Sequence, residues 1–305
     1  MPLKIKHLLG LNGVCKEDII TILDEADRFR EILDSDNPVV DSLKGKTIVN
    51  LFYENSTRTR ISFELAEKRL AANPLNFSVS GSAVNKGESL KDTVENIEAM
   101  KIDAIVVRHA ASGVPQFLTQ FSKAVIINAG DGANEHPTQA LLDIMTIRRK
   151  LGRLEGVNVA IIGDILHSRV ARSNVWGMRT LGMNVCLCGP STLMPQHSEL
   201  LGGARTTNDI YEAIKDADVV MLLRMQLERQ DSGLFPSMRE YRQLYGLDNE
   251  KIEKMKKDAI IMHPGPINRS MEISSELADC GRSVILDQVT NGVALRMAVL
   301  SLLNS

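Results

Sequence analysis

The feature that most constrains the fold of this chain is the alternation of short apolar runs with amphipathic helical segments. Runs such as residues 47–53 (TIVNLFY) and 157–162 (VNVAII) are rich in β-branched residues and largely apolar, which indicates strands buried on both faces. Between such runs lie segments with apolar residues at helical spacing, such as residues 16–33. Buried strands that alternate with helices occur in parallel sheets covered on both sides. The pattern therefore predicts an α/β fold.

The alternation forms two series, which predicts two doubly wound domains, each with a parallel sheet flanked by helices. A length of 305 residues agrees with about two domains. Strands are expected at residues 47–53, 75–79, 104–107 and 125–128 in the first series, and at 157–162, 184–188, 219–223 and 259–262 in the second. The domains are expected to join near residues 136–143. A helix predicted within residues 289–303 has an apolar stripe that fits either domain.

Composition and charge exclude several classes of protein. The formal net charge is −2, which argues against a generic nucleic-acid binder because such proteins present a broad basic face. We see no apolar run long enough for a membrane span or a signal peptide. The four cysteines are too few for a disulfide framework and lack the C-x-x-C spacing of structural zinc sites. We therefore expect a cytoplasmic protein without metal, nucleic-acid or membrane partners.

The segment after the first strand has the composition of an anion site. It reads ENSTRTR over residues 54–60 and leads into a predicted helix. Hydroxyl groups and backbone N–H groups at a helix N-terminus, with an arginine nearby, bind phosphate well. The alternative is an ordinary helix cap at Asn55 or Ser56 with solvated arginines. Capping does not explain two arginines where the helix dipole favours acidic residues, so the anion site is the better interpretation.

Cations and polar groups also follow other predicted strands. Arg108 follows the third strand, Arg224 follows the seventh, and His263 follows the eighth. His136 and Gln139 open the helix after the fourth strand, where His136 is either a loop residue or a hydrogen-bond donor to a substrate carbonyl. Because ligands of such folds bind beyond the carboxyl ends of the strands, these residues predict a ligand with several negative charges.

Two further segments allow a functional and a plain interpretation. Residues 157–164 (VNVAIIGD) resemble the start of a dinucleotide site, but G-x-G-x-x-G is absent, which argues against NAD binding. Residues 80–88 (SGSAVNKGE) form a glycine- and serine-rich loop with one lysine. This loop is either a flexible surface segment or a lid that brings a cation to the site.

Seven ordered segments resemble the catalytic chains of the aspartate carbamoyltransferase family. They are FYENSTRTRISFE, SGSAVNKGES, VVRHA, GDGANEHPTQ, GDILHSRVARSN, LLRMQLER and MHPGPINR. The first resembles the carbamoyl-phosphate signature of all transcarbamylases, and the others resemble the aspartate branch. The resemblance runs from the first helix to the last. It implies a carbamoyltransferase that converts carbamoyl phosphate and L-aspartate to N-carbamoyl-L-aspartate and phosphate, a step of pyrimidine biosynthesis, with no metal or cofactor.

The resemblance also implies roles for individual residues. Those implied to bind carbamoyl phosphate are Ser56, Thr57, Arg58, Thr59, Arg108, His136 and Gln139, joined by Ser82 and Lys86 from a neighbouring subunit. Arg58, Thr59, Arg108 and His136 are implied to be catalytic. Those implied to bind aspartate are Lys86, Arg169, Arg224, Gln226, Gly265 and Pro266. Glu54 and Arg229 are implied to tie the domains together on closure through Arg169. Shared active sites imply a homotrimer.

The resemblance also assigns the domains. It implies a carbamoyl-phosphate-binding domain of residues 1–137 plus 289–305, to which the C-terminal helix returns, and an aspartate-binding domain of residues 138–288. The bond between Gly265 and Pro266 becomes a candidate cis peptide. Gly265 stands where some relatives have leucine. This difference is expected to loosen the backbone contacts to the aspartate amine.

Two alternatives to this function remain. The first is a transcarbamylase for another amino acid, such as ornithine. Arg224-x-Gln226 argues against it, as do Pro264 in place of the ornithine branch's cysteine and the absence of that branch's S-M-G segment. The second is a catalytically silent binding subunit, which predicts damaged motifs that this sequence does not have. Regulatory chains and pathway enzymes remain open as further partners.

Overall fold

A computed structural model describes residues 2–78, 88–197, 201–225 and 237–304. The chain packs into two compact units, unit 1 of residues 1–145 with 290–305 and unit 2 of residues 146–289. Each unit is built on a parallel sheet flanked by helices, so the predicted α/β fold is confirmed. None of the helices within the described ranges has the length and hydropathy needed to cross a bilayer.

Unit 1 contains a four-stranded parallel sheet in the order β2-β1-β3-β4. The strands are β1 (Thr47–Phe52), β2 (Asn73–Ser78), β3 (Ala104–His109) and β4 (Val125–Asp131). The helices are α1 (Lys16–Leu33), α2 (Thr57–Arg69), α3 (Leu90–Ala99), α4 (Val114–Leu118) and α5 (Pro137–Leu151), the last of which continues into unit 2. Apolar side chains of β1, β3 and β4, including Leu51, Ile105 and Ile126, pack with α3 and α4 in one buried cluster.

Unit 2 contains a five-stranded parallel sheet in the order β7-β6-β5-β8-β9. The strands are β5 (Asn158–Ile162), β6 (Asn184–Cys188), β7 (Arg205–Thr207), β8 (Val219–Leu222) and β9 (Ile260–Met262). The helices are α6 (Arg169–Thr180), α7 (Ile210–Ile214), α8 (Met238–Tyr245), α9 (Asn249–Ile252), α10 (Ser275–Ala278) and the start of α11 (Ile285–Leu303), which continues into unit 1. One buried cluster of this unit joins the sheet to α7 and α8.

The C-terminal helix α11 returns to unit 1, as expected. From Thr290 onward its residues belong to that unit, and Arg296 donates a hydrogen bond from Nη1 to Ser62 Oγ of α2 over 3.0 Å. Its apolar residues Leu295, Met297 and Leu300 are fully buried. The sequence pattern left the partner of this helix open, and the structure assigns it to the sheet that carries the ENSTRTR segment.

Helix α2 carries a buried carboxyl group on the side that faces β1. Glu67 is fully buried and accepts a hydrogen bond on Oε2 from Nδ2 of Asn50 in β1, over 2.8 Å. Glu67 Oε1 and Asn50 Oδ1 are buried, and neither has a hydrogen-bond partner among the described residues. Burial raises the pKa of Glu67 from 4.5 to about 7. The protonated form therefore fits this site better than the charged form.

This carboxyl group makes stability depend on pH. Below its ordinary pKa, Glu67 is protonated in both the folded and the unfolded chain. As pH rises toward 7, the unfolded chain loses the proton first, so the free energy of unfolding falls. We expect Glu67→Gln to raise the free energy of unfolding at pH 8 by about 2 kcal/mol, and to change it little near pH 4. Urea unfolding at both pH values measures this difference.

The matched control is Glu64→Gln on the same helix. The Lys68 ammonium and the Asn76 amide hold the pKa of Glu64 below its usual range, and its side chain reaches solvent. This control is expected to give no gain at pH 8. Equal free energies of unfolding for wild type and Glu67→Gln at pH 8 would contradict the prediction.

Candidate functional site

The carboxyl ends of three neighbouring strands bring the predicted residues of unit 1 to one edge of the sheet. Directly after β1, Tyr53 N donates to Arg108 O of β3 over 2.9 Å. After β4, Gly132 N donates to His109 O of β3, also over 2.9 Å. The ENSTRTR segment, Arg108 and the loop before α5 therefore lie on adjacent strand ends, where ligands of parallel α/β sheets bind.

Helix α2 begins immediately after the first of these strand ends. Ser56 occupies the cap position, but its hydroxyl makes no capping hydrogen bond within the described chain. The first turn contains no acidic residue; Thr57 and Arg58 are exposed and Thr59 is half-buried. Unsatisfied N–H groups of a first turn, together with hydroxyls and an arginine, favour an anion. Ser56 thus has the position of an ordinary helix cap but does not make the hydrogen bond of one.

Arg108 is held rigidly at the end of β3. Its Nη1 donates to Ala129 O over 3.0 Å, and its Nη2 lies 2.8 Å from Glu54 Oε1. Both side chains of this ion pair are largely buried. A charge-assisted pair of this kind fixes the guanidinium, and Glu54 is the residue that the resemblance assigned to domain closure. Within unit 1, Glu54 is thus a partner of the arginine that the sequence predicted as an anion ligand.

His136 lies at the start of α5 at the end of a loop organised by Asp131. Asp131 Oδ1 accepts from Asn128 Nδ2 over 2.7 Å and from Glu135 N over 3.2 Å, while Oδ2 accepts from Gly113 N over 2.7 Å. His136 is buried, and its carbonyl oxygen accepts from Gln139 N over 3.0 Å. The imidazole and the Gln139 amide are therefore placed by one fixed turn.

In unit 2, the strand ends of β5, β8 and β9 are neighbours in the sheet. Arg169 is the first residue of α6, in the connection after β5, and is buried. Arg224 follows β8, and the Gly265–Pro266 segment follows β9. The predicted aspartate ligands in the described ranges thus belong to three adjacent connections of one sheet.

Glu272 fixes two of these connections. It is buried, and its carboxylate accepts from Met225 N over 2.9 Å, from Asn268 N over 2.9 Å and from Asn268 Nδ2 over 2.8 Å. Burial raises the pKa of Glu272, and the three hydrogen bonds oppose that shift. This single carboxylate joins the residue after Arg224 to the segment after Pro266.

The Gly265–Pro266 peptide bond is cis, as the resemblance suggested. Gly265 has φ of 66°, in the left-handed region where glycine is favoured because it has no Cβ. Its N–H donates to His263 Nδ1 over 2.8 Å. Glycine, in place of the leucine of some relatives, therefore fits the left-handed backbone at this position.

Four predicted site residues lie outside the described ranges. They are Ser82, Lys86, Gln226 and Arg229. Their roles therefore stay predictions.

Several supporting residues have no role in the sequence prediction. Asp131, Asp143, Glu272 and Arg296 are buried charged residues that hold the predicted ligands or their segments. Asp143 and Arg296 do carry a signal in the sequence, because each is an isolated charge in an apolar helical run, ALLDIM and VALRMAV. A charge in such a run is buried only with partners, which marks it as structural or functional.

Comparison with protein-family models covers nearly the whole chain. Residues 6–149 match the model described as aspartate/ornithine carbamoyltransferase, carbamoyl-P binding domain. Residues 155–303 match the model described as aspartate/ornithine carbamoyltransferase, Asp/Orn binding domain.

Individual proteins agree with the family models. The aspartate carbamoyltransferase catalytic subunit of Acetivibrio thermocellus is 56% identical over 303 residues, covering 99% of this chain and 97% of that protein. Aspartate transcarbamoylase from Trypanosoma cruzi, solved with carbamoyl aspartate and phosphate, is 30% identical with a TM-score of 0.88, covering 98% of this chain and 96% of that one. Ornithine carbamoyltransferase from Pyrococcus furiosus is 30% identical with a TM-score of 0.87, covering 99% and 98%.

Proposed function

This chain belongs to the aspartate/ornithine carbamoyltransferase family, and from that membership we propose that it is an aspartate carbamoyltransferase. The reaction transfers the carbamoyl group of carbamoyl phosphate to the amine of L-aspartate, giving N-carbamoyl-L-aspartate and phosphate. The observation that carries the proposal is the set of adjacent strand ends in unit 1, where the start of α2, Arg108 and His136 converge. The 56% identity to an aspartate carbamoyltransferase catalytic subunit supports aspartate as the acceptor.

Carbamoyl phosphate binds at these strand ends in unit 1. Its phosphate lies on the N-terminus of α2 and pairs with the Arg58 guanidinium, which neutralises charge on the departing group. The proposed phosphate ligands are Ser56, Thr57, Arg58 and Thr59. Arg108, Thr59 and His136 donate hydrogen bonds to the carbamoyl oxygen, where negative charge develops during attack.

The chemical step is attack of the aspartate amine on the carbamoyl carbon. A C–N bond forms, the bond from carbon to the phosphate oxygen breaks, and the departing phosphate takes the proton that the amine loses. His136 therefore acts as a neutral hydrogen-bond donor and not as an obligatory base. Because both substrates are anions, orientation and local positive potential supply much of the acceleration.

Aspartate is selected by the cations of unit 2. Arg169 and Arg224, with Gln226, bind its two carboxylates, and the Gly265–Pro266 backbone lies at its amine. Arg224 supports aspartate over ornithine, because a side-chain carboxylate needs a second cation and an ammonium does not. The fold does not separate the two acceptors, since relatives of both kinds have similar TM-scores.

A colorimetric assay for the ureido product tests the function. The purified chain is incubated with carbamoyl phosphate and either L-aspartate or L-ornithine. We expect product with aspartate alone. Product with ornithine alone would overturn the assignment of Arg224, and no product with either would favour the silent binding subunit.

We also propose a homotrimer in which each active site takes Ser82 and Lys86 from a neighbouring subunit. The outward face of α2 and the edge strand β2 carry exposed apolar residues that fit a subunit interface, with Ile61 at 55% and Leu75 at 49% exposure. Helix α2 packs beside this edge strand, because Asn76 Nδ2 of β2 donates to Glu64 Oε2 of α2 over 3.0 Å.

Mixing two inactive variants tests the shared site. We expect Arg58→Ala and Lys86→Ala trimers each to be nearly inactive. When subunits of both are exchanged at equal amounts, roughly a quarter of the sites receive Arg58 from one chain and Lys86 from another, and activity returns to that fraction. Activity is measured before and after exchange, with the mass of the oligomer. A mixture that exchanges subunits but stays inactive would contradict the shared site.

The pathway and compartment are proposals as well. A carbamoyl aspartate product fits pyrimidine biosynthesis, with regulatory chains or other pathway enzymes as candidate partners. All four cysteines lie in the described ranges and are unpaired, which agrees with a reducing cytoplasm.

A further inference from the structure

The amide of Gln139 has a fixed orientation. Gln139 lies one turn before Asp143 on α5, and its Nε2 donates to Asp143 Oδ1 over 2.9 Å. A carboxylate accepts hydrogen bonds and does not donate them, so the NH2 end of the amide faces Asp143. Gln139 Oε1 accepts no hydrogen bond from any described residue. The residue keeps 9% exposure. The amide therefore offers an acceptor to a ligand.

Asp143 interacts with a buried cation. Asp143 is fully buried, and Arg296 of α11 lies near enough for a favourable charge interaction with it. Burial lowers the pKa of Arg296 to about 10, which leaves it charged at neutral pH. Its Nη1 donates to Ser62 Oγ and, over 2.8 Å, to Gly292 O, and its guanidinium lies 5.0 Å from the Phe63 ring centre. Arg296 thus supplies the counter-charge that a buried carboxylate needs.

Carbamoyl phosphate has one kind of hydrogen-bond donor. At neutral pH its phosphate oxygens and its carbamoyl oxygen are acceptors, and only its NH2 group donates. An amide that presents Oε1 complements this NH2 group. Acetyl phosphate has a methyl group at the same place and offers no donor, so it leaves such an oxygen without a partner.

We propose that Asp143 is a positioning residue that turns Gln139 Oε1 toward the carbamoyl NH2 and so makes the site select carbamoyl phosphate over acetyl phosphate. This inference rests on the proposed function. Asp143 acts only through the Gln139 amide and touches no substrate. Arg296 keeps the carboxylate in place and links α11 and α2 to this selection.

Three variants of the full chain test the proposal: Asp143→Asn, Gln139→Met and the double variant. In Asp143→Asn, the new amide turns its oxygen to Arg296 and its NH2 to Gln139, which reverses the Gln139 amide. We expect the KM for carbamoyl phosphate to rise about tenfold in each single variant, with Ki values of acetyl phosphate and inorganic phosphate within about twofold of wild type. The double variant is expected to match Gln139→Met, because Asp143 acts through Gln139.

Several outcomes would overturn the proposal. One is an equal weakening of carbamoyl phosphate, acetyl phosphate and inorganic phosphate, which a general structural role predicts. Another is a double variant whose loss is the product of the two single losses. A third is a Gln139→Met variant that still selects carbamoyl phosphate over acetyl phosphate as wild type does. This result would overturn the proposal whatever the Asp143 variants show.

A second Asp143 variant covers the case in which Asp143→Asn does not fold. The pair Asp143→Leu with Arg296→Met removes both buried charges together, a replacement that proteins often tolerate. The same loss of selectivity is expected in this double variant.

Failure of the proposed function is a separate result. In that case the wild-type chain forms no carbamoyl aspartate, whereas failure of this inference leaves wild-type turnover intact.

Discussion

Replacing Arg58 by alanine is expected to lower kcat/KM for carbamoyl phosphate about a thousandfold. The guanidinium lies one residue into α2, where it adds a full positive charge to the N–H groups of the first turn. In the proposed reaction, this charge stabilises the phosphate as its bond to carbon breaks. The loss should appear mainly in kcat, since the interaction strengthens as charge accumulates on the leaving group.

The matched control for this experiment is Arg153→Ala. Arg153 is an exposed arginine whose Nη2 lies 3.4 Å from Asp218 Oδ2, and it belongs to none of the predicted site segments. Exposed ion pairs contribute little, so its removal should leave kcat/KM within about twofold of wild type. Steady-state kinetics with both substrates varied measures the two effects. Similar losses in the two variants would mean that overall charge, and not the position of Arg58, drives the reaction.

Replacing Gly163 by alanine is expected to lower the free energy of unfolding by about 3 kcal/mol. Gly163 follows β5 directly and has φ of 139°, a conformation that is essentially restricted to glycine. A Cβ there would lie 2.9 Å from Leu223 Cβ and 3.3 Å from Leu223 O. Leu223 cannot move aside easily, because its N–H donates to Ile162 O over 2.8 Å in the ladder between β5 and β8.

Gly156→Ala separates backbone conformation from crowding. Gly156 has φ of 71°, but the nearest atom to its added Cβ is Arg153 Nη1 at 4.0 Å. Only the left-handed backbone is penalised there, so we expect a loss of about 1 kcal/mol. Denaturant unfolding of both variants measures the two losses. Equal losses would show that the close approach of Leu223 contributes nothing.

The strand ends could be predicted from sequence because buried parallel strands are continuous apolar runs. Arg108 and His136 follow such runs, so their convergence needed only the rule that ligands bind at the carboxyl ends. The family segments then implied roles for individual residues, which the spacing of apolar residues does not indicate.

Strands at the edges of the sheets were harder to predict from the sequence. β7 was not predicted because Arg205, Thr206 and Thr207 are polar, and among the described strands β7 pairs with β6 alone.

The start of β2 was also missed, for a different reason. Residues 73 and 74 are Asn and Pro, which are typical of turns, so the strand was predicted to begin at Leu75. The structure begins β2 at Asn73 and pairs Pro74 with Ile48 of β1. Proline is tolerated there because β2 is an edge strand, where one side of the backbone needs no ladder partner.

The groups that hold the site rigid could not be predicted, because their partners are distant in sequence or are backbone atoms. Glu272 accepts from Met225 N, 47 residues earlier in the chain. Arg296 reaches Ser62 across 234 residues. A sequence pattern records which residues are charged or apolar. It does not record which backbone N–H group a buried carboxylate will meet.

The return of α11 to unit 1 has a consequence for synthesis of the protein. Unit 2 is one continuous stretch of chain, whereas unit 1 is interrupted by it. At roughly 5–20 residues per second, a ribosome makes all of unit 2 before it supplies residues 290–305. Unit 1 therefore cannot complete its core until Leu295, Met297 and Leu300 have been made. Most of unit 1 is translated first, but its fold depends on the last residues of the chain.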